Sequence, residues 1–81
     1  MPATKSPEHA ALGRALRETR LNHGLSQEEL AFRAGLHRNY VGGIERGEIN
    51  TSFGVLIAVT RALGVPLSHL IEQYESNDRE G

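Results

Sequence analysis

The side chains of this sequence that are best suited to chemistry form hydrogen bonds. Arg38 and Asn39 are adjacent and closely follow the pair Gly35-Leu36. An arginine fork matches the O6 and N7 acceptors of guanine, and an asparagine amide matches N6 and N7 of adenine. The chemistry of the pair would suit recognition of base edges if both side chains face solvent, and the alternative is an ordinary solvated helix face.

Residue types that would support catalysis or metal binding are missing or scattered. The sequence has no cysteine, which removes thiolate nucleophiles and cysteine-ligated zinc. It also lacks a Ser-His-Asp set and a glycine-rich phosphate loop. The four histidines, which have no metal-ligand spacing, are His9, His23, His37 and His69. We expect no enzyme, no catalytic residue, no metal and no cofactor.

The length and hydropathy of the chain limit its organisation. With 81 residues it has room for one modest core, so we expect a single domain over residues 1–75 and a disordered tail over residues 76–81. No apolar run approaches a membrane span, and the N-terminus lacks the apolar core of a signal peptide. We therefore expect a cytoplasmic protein with neither a membrane partner nor an evident small-molecule ligand.

Glycines divide the chain into five helical segments, which predicts an all-α, compact five-helix fold. Each of these glycines follows apolar residues at helical spacing, where a left-handed cap is favourable. They are Gly24, Gly35, Gly47 and Gly64. The segments are predicted at about 7–23, from Ser26 to the turn at Gly35, at 37–46, at 52–63 and from Pro66 onward. The fourth is the most apolar and is expected to form the centre of the core.

The second and third segments together predict a helix-turn-helix. Ser26 and Glu29 form a capping box that begins the second helix, and Gly35 supplies a tight turn. The third helix carries Gly42-Gly43, each of which costs roughly 1 kcal/mol relative to alanine, so tertiary packing must hold it. In such a motif the second helix can enter the major groove of DNA because the first supports it.

Three segments carry a resemblance to a known family. Leu25-Ser26-Gln27-Glu28-Glu29-Leu30-Ala31, Ala34-Gly35-Leu36 and Ile44-Glu45-Arg46-Gly47 resemble the family of phage lambda repressor and Cro, also called the xenobiotic response element family. The resemblance covers roughly residues 10–72 and implies a lambda-repressor-like DNA-binding domain. The run from Tyr40 to Gly47 also resembles the controller proteins of restriction-modification systems.

The resemblance implies roles for individual residues. It places Arg38 and Asn39 at the exposed start of the recognition helix, where relatives touch bases, and it implies a structural ion pair between Arg20 and Glu45. Gly43 departs from the family pattern, because several relatives carry a base-reading side chain there. The protein would then touch fewer bases or allow the duplex closer to the helix backbone, with specificity resting more on DNA shape. The DNA-backbone contacts predicted from this placement are Gln27, Tyr40, Arg46, Asn50 and Thr51, and His37 is the one histidine that could also approach a phosphate.

The net charge of −1 argues at first against a DNA-binding protein, since phosphate neutralisation requires a basic surface. The charges are unevenly distributed, however. Residues 13–47 contain six arginines against four glutamates, whereas residues 48–81 contain two arginines against five acidic residues. A slightly basic half and an acidic half are therefore expected.

These observations predict a sequence-specific transcription regulator that binds a short pseudo-palindromic operator in double-stranded DNA as a homodimer. Half-sites about 10 base pairs apart are expected for such a dimer. The alternative is an antitoxin or other protein-interaction module with secondary DNA binding. Four apolar residues are predicted to lie in the core, some of them alternatively in the dimer interface: Phe53, Leu67, Ile71 and Tyr74.

Overall fold

The computed structural model of the chain describes residues 6–80, which fold into five α-helices and no strand. The helices are α1 (Pro7–Asn22), α2 (Gln27–Ala34), α3 (Arg38–Glu45), α4 (Phe53–Leu63) and α5 (Leu67–Glu80). The predicted all-α, five-helix class is confirmed. Residues 1–5 of the predicted domain, and Gly81 of the predicted tail, lie outside the described residues.

The helices begin and end where the sequence provides caps. The hydroxyl oxygens of Ser6, Ser26 and Ser52 accept hydrogen bonds from backbone N–H groups in the first turns of α1, α2 and α4. Gly35 and Gly64 end α2 and α4 with φ angles of 72° and 76°, a left-handed conformation that glycine adopts without steric cost. The lengths of the elements are therefore set locally.

The hydrophobic core is shared by all five helices and is not centred on α4. From α4 only Val59 and Leu63 are fully buried apolar residues, while Leu56 and Ile57 stay half-exposed. The other apolar residues of the buried cluster come from α1, α2, α3, α5 and the loop before α2: Ala15, Leu16, Leu25, Leu30, Ala31, Val41, Ile44 and Leu70. The prediction that α4 forms the centre of the core was wrong because its apolar residues encircle the helix, and only one face can point inward.

Phe53 was also wrongly predicted to lie in the core. Phe53 is 69% exposed and is the first residue of α4. Leu67, Ile71 and Tyr74 are half-buried. Burial raises the pKa of the Tyr74 phenol, and the carboxylates of Asp78, Glu8 and Glu75 add to the rise. A partly open apolar surface therefore remains on α4 and α5.

The predicted disordered tail is instead helical as far as Glu80. Asn77 is only 7% exposed, and its Nδ2 donates to the carbonyl of Ala11 and to Oε1 of Glu18, both at 3.3 Å. The Arg14 guanidinium donates to the Asn77 carbonyl at 3.5 Å. The polar composition suggested disorder, but α1 satisfies the polar groups of this turn and orders it.

Asn77→Ala is expected to lower the free energy of unfolding by about 1–2 kcal/mol, because two buried hydrogen bonds are lost. Urea unfolding followed by circular dichroism would measure the change. Asp78→Ala, on the exposed side of the same turn, is the control and should shift stability by less than about 0.5 kcal/mol. Equal stability of Asn77→Ala and the wild type would contradict an ordered C-terminal turn.

Within residues 6–80, no single helix is long and apolar enough to cross a membrane; α4 and the α5 segment up to Arg79 meet that measure only when taken together, across a bend of 108°.

Candidate nucleic-acid interface

The start of α2 is fixed by a reciprocal pair of hydrogen bonds. The Ser26 N–H donates to Glu29 Oε1 at 2.8 Å, and the Glu29 N–H donates to Ser26 Oγ at 3.0 Å. The hydrogen bond from the Ser26 N–H, and next to it that from the Ser26 side chain, favour the charged carboxylate and lower the pKa of Glu29. Gln27 is the first residue of α2, so this capping box also fixes the backbone position from which the Gln27 side chain extends.

The turn between α2 and α3 is tight and closed by backbone hydrogen bonds. Gly35 takes the left-handed conformation, and the Leu36 N–H donates to the Ala31 carbonyl at 2.8 Å. Val41 and Ile44 of α3 are buried in the core, so α3 is held along its length although it contains two glycines. The opening turn of α3 therefore stands on a rigid support.

Arg38 and Asn39, the two predicted base-contacting residues, are both exposed at this opening turn. The Arg38 side chain is 64% exposed, and Nη1 lies 3.6 Å from Oε2 of Glu28, whose side chain is 76% exposed. An exposed ion pair at this distance contributes little, so the guanidinium is available to a ligand.

His37 is the N-cap of α3. Its Nδ1 accepts a hydrogen bond from the Asn39 N–H at 3.1 Å, which leaves Nε2 as the ring nitrogen that can donate. The predicted contact of His37 with a phosphate would therefore use Nε2.

Gln27 and Arg46 converge above Gly42. A Cβ atom added to Gly42 would lie 3.0 Å from Arg46 Nη1 and 3.4 Å from Gln27 Oε1. Arg46 is exposed, and its Nε lies 3.0 Å from Oε1 of Glu48. A guanidinium and an amide thus lie side by side, an arrangement that suits a phosphate oxygen.

A buried ion pair joins these elements to α1. Arg20 Nε and Nη2 donate to the two Glu45 carboxylate oxygens at 2.7 and 2.9 Å, and Arg20 Nη1 donates to the Leu25 carbonyl at 2.8 Å. Arg20 and Glu45 are 5% and 7% exposed. Glu45 Oε1 also accepts from Gln27 Nε2 at 3.0 Å, so the ion pair orients Gln27. The ion pair implied by the family resemblance is present.

The remaining predicted backbone contacts lie elsewhere. Tyr40 is half-buried and packs against the core. Asn50 lines a cleft with Leu12, Leu56 and other residues of α1, α4 and α5. Thr51 Oγ1 is buried without a hydrogen-bond partner, so that hydroxyl is not presented to a phosphate. Of the predicted phosphate contacts, Gln27 and Arg46 therefore lie together. The Thr51 hydroxyl does not lie with them.

Three glycines have contacts that sequence analysis missed. Gly42 lies beneath Gln27 and Arg46, Gly43 lies beneath Ile49, and Gly13 of α1 lies against the last carbonyl groups of α3. Close approach of a duplex to the backbone at Gly43, one of the two alternatives predicted for that residue, would require Ile49 to move. A glycine inside the otherwise regular amphipathic pattern of α1 was the available signal for Gly13.

Comparison with known proteins places this geometry in context. The profile of a family described as helix-turn-helix matches residues 16–70. The chain is similar to control protein C.SmaI of Serratia marcescens, with 36% identity over 70 residues, which cover 86% of this chain and 83% of that protein.

Two solved structures are also similar. The restriction-modification controller protein C.AhdI from Aeromonas hydrophila superimposes with a TM-score of 0.79 and 43% identity, over 80% of this chain and 98% of that one. The controller protein C.Esp1396I, solved as a tetramer in complex with its natural 35 base-pair operator, gives a TM-score of 0.84 and 27% identity, over 91% of this chain and 97% of that one.

Proposed function

The chain belongs to the helix-turn-helix family, and from that premise we propose that it is a transcription regulator that binds double-stranded DNA sequence-specifically. One observation carries the proposal: Arg38 and Asn39 are exposed at the start of α3, and the other face of this helix is buried in the core. The similarity to restriction-modification controllers supports the narrower role of a controller protein. The protein acts by binding to DNA and occupying a promoter, and it does so in the cytoplasm.

Base recognition and backbone contact are assigned to different residues. Arg38 donates to guanine O6 and N7, and Asn39 pairs with adenine N6 and N7. Gln27, Arg46 and Nε2 of His37 bind phosphates of the duplex backbone. The convergence of Gln27 and Arg46 over Gly42 supports this division.

The protein acts as a homodimer. One recognition helix contacts too few base pairs for tight binding, and two-fold pairing places a second one about 10 base pairs away on a pseudo-palindrome. The partly open apolar surface of α4 and α5 supports pairing through these helices. On this surface Phe53 is 69% exposed, and three further residues are half-buried: Ile57, Leu67 and Ile71.

Selection of bound fragments from a random duplex library tests the proposal, combined with sedimentation of the protein alone and on the selected duplex. We expect enriched fragments with two inverted half-sites, bound by two chains. Failure to enrich any sequence would contradict the proposed function. A strict monomer at micromolar concentration, alone and on DNA, would contradict the dimer. Copurification with a toxin from the native host would favour the antitoxin alternative.

Arg38→Ala is expected to cost about 1–3 kcal/mol on the selected operator and to relax preference at one base pair. Gln27→Ala should weaken binding to operator and random DNA alike, because a phosphate contact carries no sequence information. Fluorescence anisotropy titrations on both duplexes measure the two effects, with thermal unfolding of Gln27→Ala as a check on the fold. Equal losses of both variants on both duplexes would overturn these assignments.

A further inference from the structure

The face of α3 around Gly43 is covered by a residue from outside the helix. A Cβ atom on Gly43 would lie 2.8 Å from Cγ1 of Ile49 and closer still to Cδ1, so the end of the isoleucine side chain fills the space of the missing one. Gly43 is buried, whereas Ile49 is half-exposed. Ile49 therefore forms the outer surface at this point of α3.

The loop after α3 is built to hold Ile49 in that place. Gly47 takes a φ angle of 75°, which reverses the chain, and the Glu48 N–H donates to the Gly43 carbonyl at 2.9 Å. The backbone is thus tied to Gly43 one residue before Ile49. The position of Ile49 over α3 follows from backbone hydrogen bonding and does not depend on side-chain packing alone.

Gly43 lies four residues after Asn39, and residues four apart share one face of a helix. The face that begins with exposed Asn39 consequently continues into the Ile49 side chain. On the proposed function, this face enters the major groove. The apolar group that base pairs display on the major-groove edge is the C5-methyl of thymine.

We propose that Ile49 is a specificity-determining residue that contacts the C5-methyl group of a thymine beside the base pair bound by Asn39. The inference rests on the proposed DNA-binding function and assigns to a loop residue the recognition that Gly43 cannot provide. The contact is apolar and direct, so it depends on the thymine methyl group and on the aliphatic end of residue 49.

Replacement of thymine by deoxyuridine tests the proposal, because it removes the methyl group and leaves the hydrogen-bonding edge unchanged. Each thymine of the selected operator is replaced in turn, and dissociation constants are measured for the wild type and Ile49→Ala. For the wild type, we expect one thymine per half-site at which the replacement weakens binding about fourfold, the factor that corresponds to one buried methylene-sized group. Ile49→Ala should bind both versions of that site equally.

Two further variants guard against a folding defect. Ile49→Val keeps most of the packing over Gly43 and should lose part of the methyl sensitivity. Val65→Ala shortens another half-buried loop side chain outside α2 and α3, and it should retain the wild-type pattern. If Ile49→Ala does not fold, the methyl sensitivities of Ile49→Val and Val65→Ala are compared instead. A loss of sensitivity in Ile49→Val alone supports the proposal, and equal sensitivity of the two variants overturns it.

The outcomes separate this proposal from the function on which it rests. Equal sensitivity of wild type, Ile49→Ala and Ile49→Val at every thymine would overturn the role of Ile49 and leave DNA binding intact. An operator with no methyl-sensitive thymine would do the same. Failure of the wild type to bind any selected duplex would overturn the proposed function, and the role of Ile49 with it.

Discussion

Glu45→Ala is expected to lower the free energy of unfolding by about 3–5 kcal/mol, because it leaves the Arg20 guanidinium charged, buried and with one remaining acceptor, the Leu25 carbonyl. Natural domains have only about 5–15 kcal/mol of stability, so this loss removes a large share of it. Urea unfolding at 15 °C, followed by circular dichroism, measures the change.

Glu28→Ala is the matched control for Glu45→Ala. It removes a glutamate that also faces an arginine, at 3.6 Å, but whose side chain is 76% exposed, so stability should change by less than about 1 kcal/mol. The double variant Arg20→Met/Glu45→Leu should recover much of the stability, because no buried charge is left unpaired. Comparable stability of Glu45→Ala and Glu28→Ala would contradict a structural role for the ion pair.

The same double variant separates folding from DNA affinity. Glu45 Oε1 accepts the hydrogen bond that orients Gln27, and leucine offers no acceptor. We therefore expect a folded double variant that binds operator and random DNA more weakly than the wild type by a similar factor.

Gly13→Ala is expected to destabilise the protein by about 3 kcal/mol, although alanine is the better helix former by roughly 1 kcal/mol. Gly13 is buried, and an added Cβ atom would lie 2.5 Å from the Glu45 carbonyl oxygen and 2.8 Å from its carbonyl carbon. These are backbone atoms at the end of α3, and they cannot move without displacing Glu45 from Arg20. Thermal unfolding should show a Tm lower by about 10 °C or more.

Gly54→Ala provides the contrast, because Gly54 lies in α4 with Ser52 Oγ, at 3.9 Å, as the one near neighbour of an added Cβ. Here the substitution should raise stability by about 0.5 kcal/mol through reduced entropy of the unfolded chain. The two substitutions are chemically identical and should act in opposite directions. A stabilising Gly13→Ala would show that α1 does not approach α3 as closely as described.

Local signals made the helices predictable. The Ser26–Glu29 capping box and the cap glycines act within a few residues, so α1 to α4 begin and end close to their predicted positions. Burial was less predictable, because it depends on which end of a helix reaches the core. The exposure of Phe53 at the start of α4 and the burial of Asn77 in a polar segment both follow from packing between helices distant in sequence.

The candidate site was likewise predictable from the sequence only in part. The exposure of Arg38 and Asn39 follows from the turn at Gly35 and from the apolar residues Val41 and Ile44, which fix the orientation of α3. The sequence did not indicate that Thr51 Oγ1 is buried or that Ile49 covers Gly43. Both features belong to the loop after α3, and spacing along the chain carries no information about the path of that loop.

The glycine pair of α3 constrains how this protein could be retargeted to a new operator. A Cβ at Gly42 would lie 3.0 Å from Arg46 Nη1, so the exposed guanidinium would have to shift by a few tenths of an ångström, whereas any side chain at Gly43 would displace Ile49. A combinatorial library that randomised the whole helix would therefore displace Ile49 in most of its members and disturb Arg46 in many of them. Diversity introduced at Arg38 and Asn39, and among aliphatic side chains at Ile49, with both glycines held fixed, would sample new preferences while keeping the packing over α3.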